Sequence, residues 1–437
     1  MTIWLRFFER PCRRLASFFH LSGRRPQPST RYHQIVWLVV LALFAQSADF
    51  GAQGLKALDE RRFADAIALF SQAVAQDPND YSAHFNLGLA YGLSGRDAEA
   101  IREYKKVLEL KPGLYEAGLN LGLSLMRNKD AAAAIPFLRG AMEQKPDQFR
   151  PRLYLGDALF ATQQFAQSEA AYRAALDLDS NSAPAELGLG RTLAREKQLA
   201  DAESHYRKAA ALDAAYKDAL LELAALYEDN RQFTQAIAIY RQFSANPAAQ
   251  ERLGALLLES GRAAEAIPPL EAAVAASPTS ANRLALAQAY VKEKQLAKAE
   301  PLAALAADAT PDDLDLRLFY ARLLRDQRKF PQAAAQFLAV AHAMPSSVEA
   351  WTELSGVYMA SQQYPLALDA LDHIRALGAE SNGLVFIRAL AYDHLQQRKE
   401  ALENYNKFLA ASRGEHPDQE FQARGRVRAL EKDLGKR

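Results

Sequence analysis

Few side chains in this sequence are of the kinds that make or break bonds at neutral pH, and their spacing brings few of them together. The eight histidines (His20, His33, His84, His205, His342, His373, His394 and His416) are scattered, with no close pair at metal-ligand spacing. Asp177, Asp179 and Asn181 imitate the opening of a calcium loop, but Ser182 stands where glycine belongs and no glutamate closes the loop. Cys12 is the only thiol, so everything after it lacks disulfides, cysteine-ligated zinc and a cysteine nucleophile. Neither a G-x-S-x-G elbow nor a G-x-x-x-x-G-K-[ST] phosphate loop occurs. The chain is therefore expected to be no enzyme and to hold no cofactor and no metal.

Hydrogen-bonding chemistry is a different matter. An asparagine amide carries both a donor and an acceptor, and can pair with a peptide group whatever its sequence. Asn86 and Asn120 stand 34 residues apart, and so do many other residues of the same kind. Ala66, Ala100 and Ala134 share that spacing, continued by Ser168, Ala202 and Ala236; Gly54, Gly88, Gly122, Gly156 and Gly190 repeat likewise, as do Pro78, Pro112 and Pro146. A fixed period of this length means a stacked array of short helical units.

Units starting at 47, 81, 115, 149, 183, 217, 247, 280, 314, 348 and 382 give eleven copies. Position 8 is small in every copy, and position 20 is Ala in all but one, where Ser168 replaces it. Position 24 is mostly aromatic (Phe70, Tyr104, Tyr172, Tyr206, Tyr240, Phe337, Tyr405). Positions 4, 7, 8 and 11 share one stripe of a first helix, and 20, 24 and 27 one stripe of a second. Small residues at 8 and 20 let the helices approach, and large ones at 11 and 24 fill the space beside them. Gly95 and Gly261, or polar residues elsewhere, allow the turn, and Pro near position 32 stops the second helix. Pro136, Pro268, Pro269 and Pro301 fall early in second helices, where a lost N–H costs least.

Small-8, aromatic-11, Ala-20, aromatic-24, small-27 and Pro-32 at this spacing resemble the tetratricopeptide repeat family over about residues 47–415. The resemblance implies an all-α fold: a right-handed superhelical solenoid of about eleven tetratricopeptide-type helix-turn-helix repeats. It also implies a concave face, lined by first helices, that binds a peptide or a partner protein. The sixth copy lacks four residues after Phe243, which suggests a seam between an N-terminal arm (47–246) and a C-terminal arm (247–415). Residues 416–437 follow as a capping helix, with Phe421, Val427, Leu430 and Leu434 expected on its buried face.

If 4, 7, 8 and 11 face the partner helix, positions 2, 6, 9 and 13 form the opposite, groove-lining stripe. Its candidate peptide-binding residues are Asn86, Asn120, Arg150, Tyr154, Asp157 and Arg191. The two asparagines resemble the start of the asparagine ladder in the repeat arm of O-linked N-acetylglucosamine transferases, whose amides hold an extended peptide backbone. Here the ladder covers two units. The clamp by which cochaperones hold a C-terminal carboxylate is matched at Asn120 and Arg150 only; Phe85, Leu89 and Tyr154 fill its other places. Tyr154 and Phe319 are the aromatic candidates for anchoring apolar side chains of a partner.

The 437 residues are 49% hydrophobic and 24% charged, as ordered chains are. Residues 1–47 hold seven arginines and one acid; the rest has 46 basic and 51 acidic residues, a balance that gives nucleic acid nothing to bind. Within the leader, residues 35–45 ("IVWLVVLALFA") are uncharged, and as a helix they would span ~17 Å, short of a bilayer core. That length suits a signal peptide, with small residues at Ala45 and Ser47 for cleavage, or an uncleaved anchor reaching to Ala48. Either way the body is expected to be exported, periplasmic or extracellular, touching membrane only through this segment. The expected role is a scaffold for a protein or peptide ligand, or else an accessory subunit of a cell-envelope assembly or secretion machine that uses its convex or terminal surfaces.

Overall fold

The 34-residue period is laid down as pairs of antiparallel helices in a computed structural model that describes residues 50–435. The Arg-rich leader and its apolar stretch lie outside the described residues. First helices are α1 (Phe50–Asp59), α3 (Tyr81–Leu93), α5 (Tyr115–Arg127), α7 (Phe149–Ala161), α9 (Ala183–Arg195) and α11 (Ala219–Asp229), continued by α13 (Pro247–Glu259), α15 (Ser280–Lys292), α17 (Leu314–Asp326), α19 (Val348–Ala360) and α21 (Asn382–His394). Second helices are α2 (Phe63–Gln76), α4 (Asp97–Leu110), α6 (Ala131–Gln144), α8 (Phe165–Leu178), α10 (Leu199–Leu212) and α12 (Phe233–Tyr240). They continue with α14 (Ala263–Ala276), α16 (Leu296–Ala309), α18 (Phe330–Ala343), α20 (Tyr364–Ala376) and α22 (Arg398–Ala411), and α23 (Pro417–Leu434) ends the described chain. No strand occurs among the described residues.

Each pair turns in the same way. Position 15 has a positive φ in all eleven repeats: Gly95 and Gly261 at +78° and +74°, and nine side-chain-bearing residues such as Lys129 and Lys197. The N–H of position 16 then reaches back to the carbonyl of position 11, as in Asp130 to Leu125 (2.9 Å) and Gln164 to Leu159 (2.8 Å). This is the backbone closure of a Schellman motif, and it satisfies carbonyls that the helix end would leave open. First helices start on side-chain caps where the sequence supplies them: Asp80, Ser182, Asn246, Thr279, Asp313 and Ser347 accept backbone N–H bonds. The calcium-like run belongs to such a start, since Asp179 accepts the Asn181 N–H at 3.1 Å and Ser182 caps α9.

Packing follows the small and large positions. The large residue at 24 lies directly on the glycine at 8. A Cβ built on Gly122 would stand 2.6 Å from Leu138, and one on Gly156 2.7 Å from the Tyr172 ring. Position 20 is wholly buried, including Ser168, whose hydroxyl donates to the Gly156 carbonyl (2.9 Å) and pairs with Thr192 (3.2 Å). Successive repeats are also tied through position 4. Trp351 donates from Nε1 to the carbonyl of Pro345 (2.9 Å), and His84 Nε2 faces that of Pro78 (3.1 Å). The prolines at position 32 that stop the second helices thus also supply acceptors to the next repeat. Trp351 is 4% exposed and stacks on His373 with ring centroids 4.0 Å apart.

The chain forms two compact units, up to Gln198 and from Leu199. In the first, α1–α9 stack in sequence, and one core cluster joins Tyr104, Leu121, Leu138 and Leu159. In the second, clusters around Phe337 and Leu371 and around Tyr405 and Phe408 follow the same logic. The four residues missing from the sixth repeat are taken from its second helix: α12 has eight residues where most have fourteen. Phe243 still fills position 27 there and is buried.

Two expectations need correction. Pro136, Pro268, Pro269 and Pro301 lie inside their helices, a full turn or more from the start. The residues whose carbonyls they leave without a helical N–H, Ala132, Ala264, Glu265 and Ala297, are all exposed, where water can take the missing bond. In α23 the buried face is Glu420, Ala423, Val427, Leu430 and Leu434, at alternating three- and four-residue steps. Phe421 is out of that phase and is 78% exposed.

Candidate peptide-binding groove

Positions 2, 6, 9 and 13 fall within a narrow arc of each first helix, away from the stripe that packs on the second helix. Consecutive first helices touch one another in the N-terminal unit, so the arcs of α3, α5, α7 and α9 adjoin. In the C-terminal unit the same adjacency shows in side-chain bonds. Arg322 at position 9 of α17 pairs with both Glu349 and Glu353, at positions 2 and 6 of α19.

Each candidate residue has a definite place. Asn86 on α3 and Asn120 on α5 are half-buried, and neither side chain is hydrogen-bonded among the described residues. Arg150, the second residue of α7, is exposed and forms no ion pair among the described residues. Tyr154 is half-buried and packs against the core of the second to fourth repeats. Asp157 accepts a 2.6 Å hydrogen bond from Tyr172, a residue of the second helix α8. Burial pushes the Asp157 carboxyl above the ordinary aspartate range, opposed by the Tyr172 hydrogen bond and by the charge of Arg191. Arg191 thus shares a polar cluster with Asp157 and Tyr172, whereas the two asparagines stand on separate helices one repeat apart.

The hydroxyl of Tyr172 reaches Asp157 through a gap between glycines. Cβ atoms built on Gly156 and Gly188 would stand 2.7 Å and 2.3 Å from its ring. Gly188 occupies position 6 of its repeat, one repeat after Tyr154 has ended the amide series. No side chain can replace that hydrogen while Tyr172 is in place.

Position 6 behaves differently farther along. Glu222 accepts from Tyr206 (3.0 Å), Arg252 pairs with Glu228, and Glu353 is held by Arg322 and Arg325. Phe319 packs against Leu316 and Ala306. These side chains are committed within the chain; the amides of Asn86 and Asn120 are not.

The groove also has apolar members that a search for polar chemistry passes over. Position 9 of the first three repeats is Leu55, Leu89 and Leu123, and Leu93 at position 13 is 54% exposed. Their signal in the sequence was the leucine at one register position in three successive copies. No group of three or more potential metal ligands comes together among the described residues.

One tetratricopeptide repeat model matches residues 52–115, 221–281 and 320–382, and a second matches 125–187, together more than half of the chain. The chain belongs to the tetratricopeptide repeat family. No curated relative matches it. Similar solved structures include MamA from MSR-1, 22% identical over 39% of this chain and 98% of that one, with a TM-score of 0.37. Another is MamA from Desulfovibrio magneticus RS-1, 22% identical over 39% and 96%, TM-score 0.37. A third is YrrB, "a TPR protein with an unusual peptide-binding site", 19% identical over 38% and 85%, TM-score 0.36. At these identities and TM-scores the likenesses carry no functional information.

Proposed function

We propose that this tetratricopeptide repeat protein is a non-catalytic interaction scaffold that holds an extended segment of a partner protein in the groove of its second to fifth repeats. The supporting observation is the pair of uncommitted amides, Asn86 and Asn120, at the same register position of consecutive first helices. An amide in that setting can take the N–H and C=O of a passing backbone with no rearrangement of the protein. Equivalent positions in the sixth, seventh and tenth repeats are occupied by internal bonds, which supports a site in the N-terminal unit. Export of the body, with the leader cleaved or kept as an anchor, rests on the sequence of residues 1–48; sequencing the N-terminus of the mature protein tests it.

For the groove, a photo-reactive residue at Leu93 would be used to trap partners in cells. Replacing Asn86 and Asn120 together by Ala should reduce trapping about tenfold or more, two lost backbone hydrogen bonds being worth roughly 1–3 kcal/mol. Circular dichroism should be unchanged, since neither amide supports the fold. Trapping at the level of the parent protein would sink the reading.

Phe421 favours a second reading, in which the chain is an accessory subunit that docks through its C-terminal end. An aromatic ring 78% exposed on the last described helix is the kind of residue that anchors an interface. Phe421→Ser should then abolish partner recovery while the asparagine double variant leaves it intact.

A further inference from the structure

The face that carries Asn86 and Asn120 changes character along its length. In the first three repeats it carries the exposed Leu55 and Leu93 and the half-buried Leu89 and Leu123, with Asp59 as its only charge in the first two. From the third repeat to the fifth the same register positions hold Arg127, Arg150, Arg191 and Arg195, opposed by Glu116 and Asp157. Both acids are already engaged. Lys145 donates to Glu116 at 2.8 Å, and Asp157 accepts from Tyr172 beside Arg191. Arg127 is tied to Asp97, while Arg150 and Arg195 are exposed and have no carboxylate partner among the described residues; Arg195 lies over the Phe165 ring at 5.7 Å.

We infer that the occupant is an extended peptide segment with leucine-like side chains at one end and acidic side chains, aspartate or glutamate, at the other. This rests on the groove reading proposed above and adds composition and orientation to it. The apolar end would cover the leucines of the first three repeats, and the carboxylates would lie against Arg150 and Arg195. Packed helices lie on the order of 10 Å apart, and an extended chain rises about 3.3 Å per residue. One side chain in roughly three therefore meets each repeat. An amide at each of two repeats fixes the backbone between, and the guanidinium groups select the sign of charge.

The test uses the full chain and fluorescein-labelled synthetic peptides, with leucines about three residues apart, serine spacers, and a terminal block of glutamate, glutamine or lysine. Anisotropy titration at low salt should rank them glutamate, glutamine, lysine, with about tenfold between the extremes and the gap closing as salt rises. Arg150→Glu with Arg195→Glu should invert the ranking; Arg150→Gln with Arg195→Gln should flatten it, and serves where the charge reversal disturbs folding. Equal binding of all three peptides, still lost in the Asn86→Ala/Asn120→Ala variant, would overturn the inference and leave the groove reading standing. Binding that ignores the asparagine pair would overturn the groove reading itself. If no peptide binds, leucine spacing with acidic charge is not what this face selects, and the inference fails.

Discussion

Nine of the eleven turns between paired helices hold a residue with a side chain in the left-handed region, where the Cβ crowds the following carbonyl at a cost of about 1 kcal/mol. All nine are Lys, Arg or Gln, unbranched at Cβ, which keeps that cost at its lower end. Lys129→Gly should accordingly stabilise the N-terminal unit by about 0.5–1 kcal/mol, read as a higher urea midpoint. Gly95→Val should destabilise it by roughly 2 kcal/mol. Asp157 gives a second prediction at this scale. Its carboxyl is held above the unfolded value, so the folded protein binds the proton more readily. Stability contributed by this residue is then greatest at low pH and falls as pH rises from the unfolded value through the folded one. Asp157→Asn keeps an oxygen for Tyr172 and removes the desolvated charge. Its melting temperature should match the parent near pH 4 and exceed it at neutral pH, because burial outweighs the opposing pull of Tyr172 and Arg191 on the carboxylate.

Between helices, the sign of a glycine substitution depends on what faces it. Gly188→Ala drives a methyl group into Tyr172, itself 2% exposed and bonded at its far end, so the ring has nowhere to go. A loss of about 1–3 kcal/mol is expected, partly recovered by adding Tyr172→Leu. Gly140 has nothing within 4 Å of its built Cβ, and Gly140→Ala in α6 should stabilise by about 0.5–1 kcal/mol through helix propensity alone. Chemical denaturation of the three variants decides both signs. Most of this level was legible in the sequence, because position 8 and position 24 repeat together and a periodic pattern averages out local exceptions. The tyrosine passing between Gly156 and Gly188 was not, since it joins position 24 of one repeat to position 6 of the next and occurs once. Phe421 was misplaced because an apolar residue at a helix start suggests burial, whereas only the three-four phase with Leu430 decides it. Within the groove, asparagine and arginine were conspicuous by chemistry; the leucines at position 9 fell on the groove stripe but drew no attention, because an apolar side chain carries no chemistry of its own.

On the scale of the whole molecule, an array of repeats has ends, and each end must be finished. The α23 helix covers Phe386, Tyr405 and Phe408 with Ala423 and Leu430, and Arg426 pairs with Asp393 at 2.6 Å. Truncation before Pro417 should expose that cluster, lower the first thermal transition by several degrees and increase binding of a hydrophobic dye. Intact behaviour would mean that the cap is dispensable. The tryptophans are as unevenly placed as the caps: of three, Trp4 and Trp37 belong to the leader and Trp351 to the tenth repeat. A chain trimmed of residues 1–47 would therefore have a single tryptophan, buried and stacked on His373, whose emission, excited selectively over tyrosine, follows the melting of one known repeat. The untrimmed chain would add two more emitters, so the same spectrum that monitors folding also tells whether the leader is still attached.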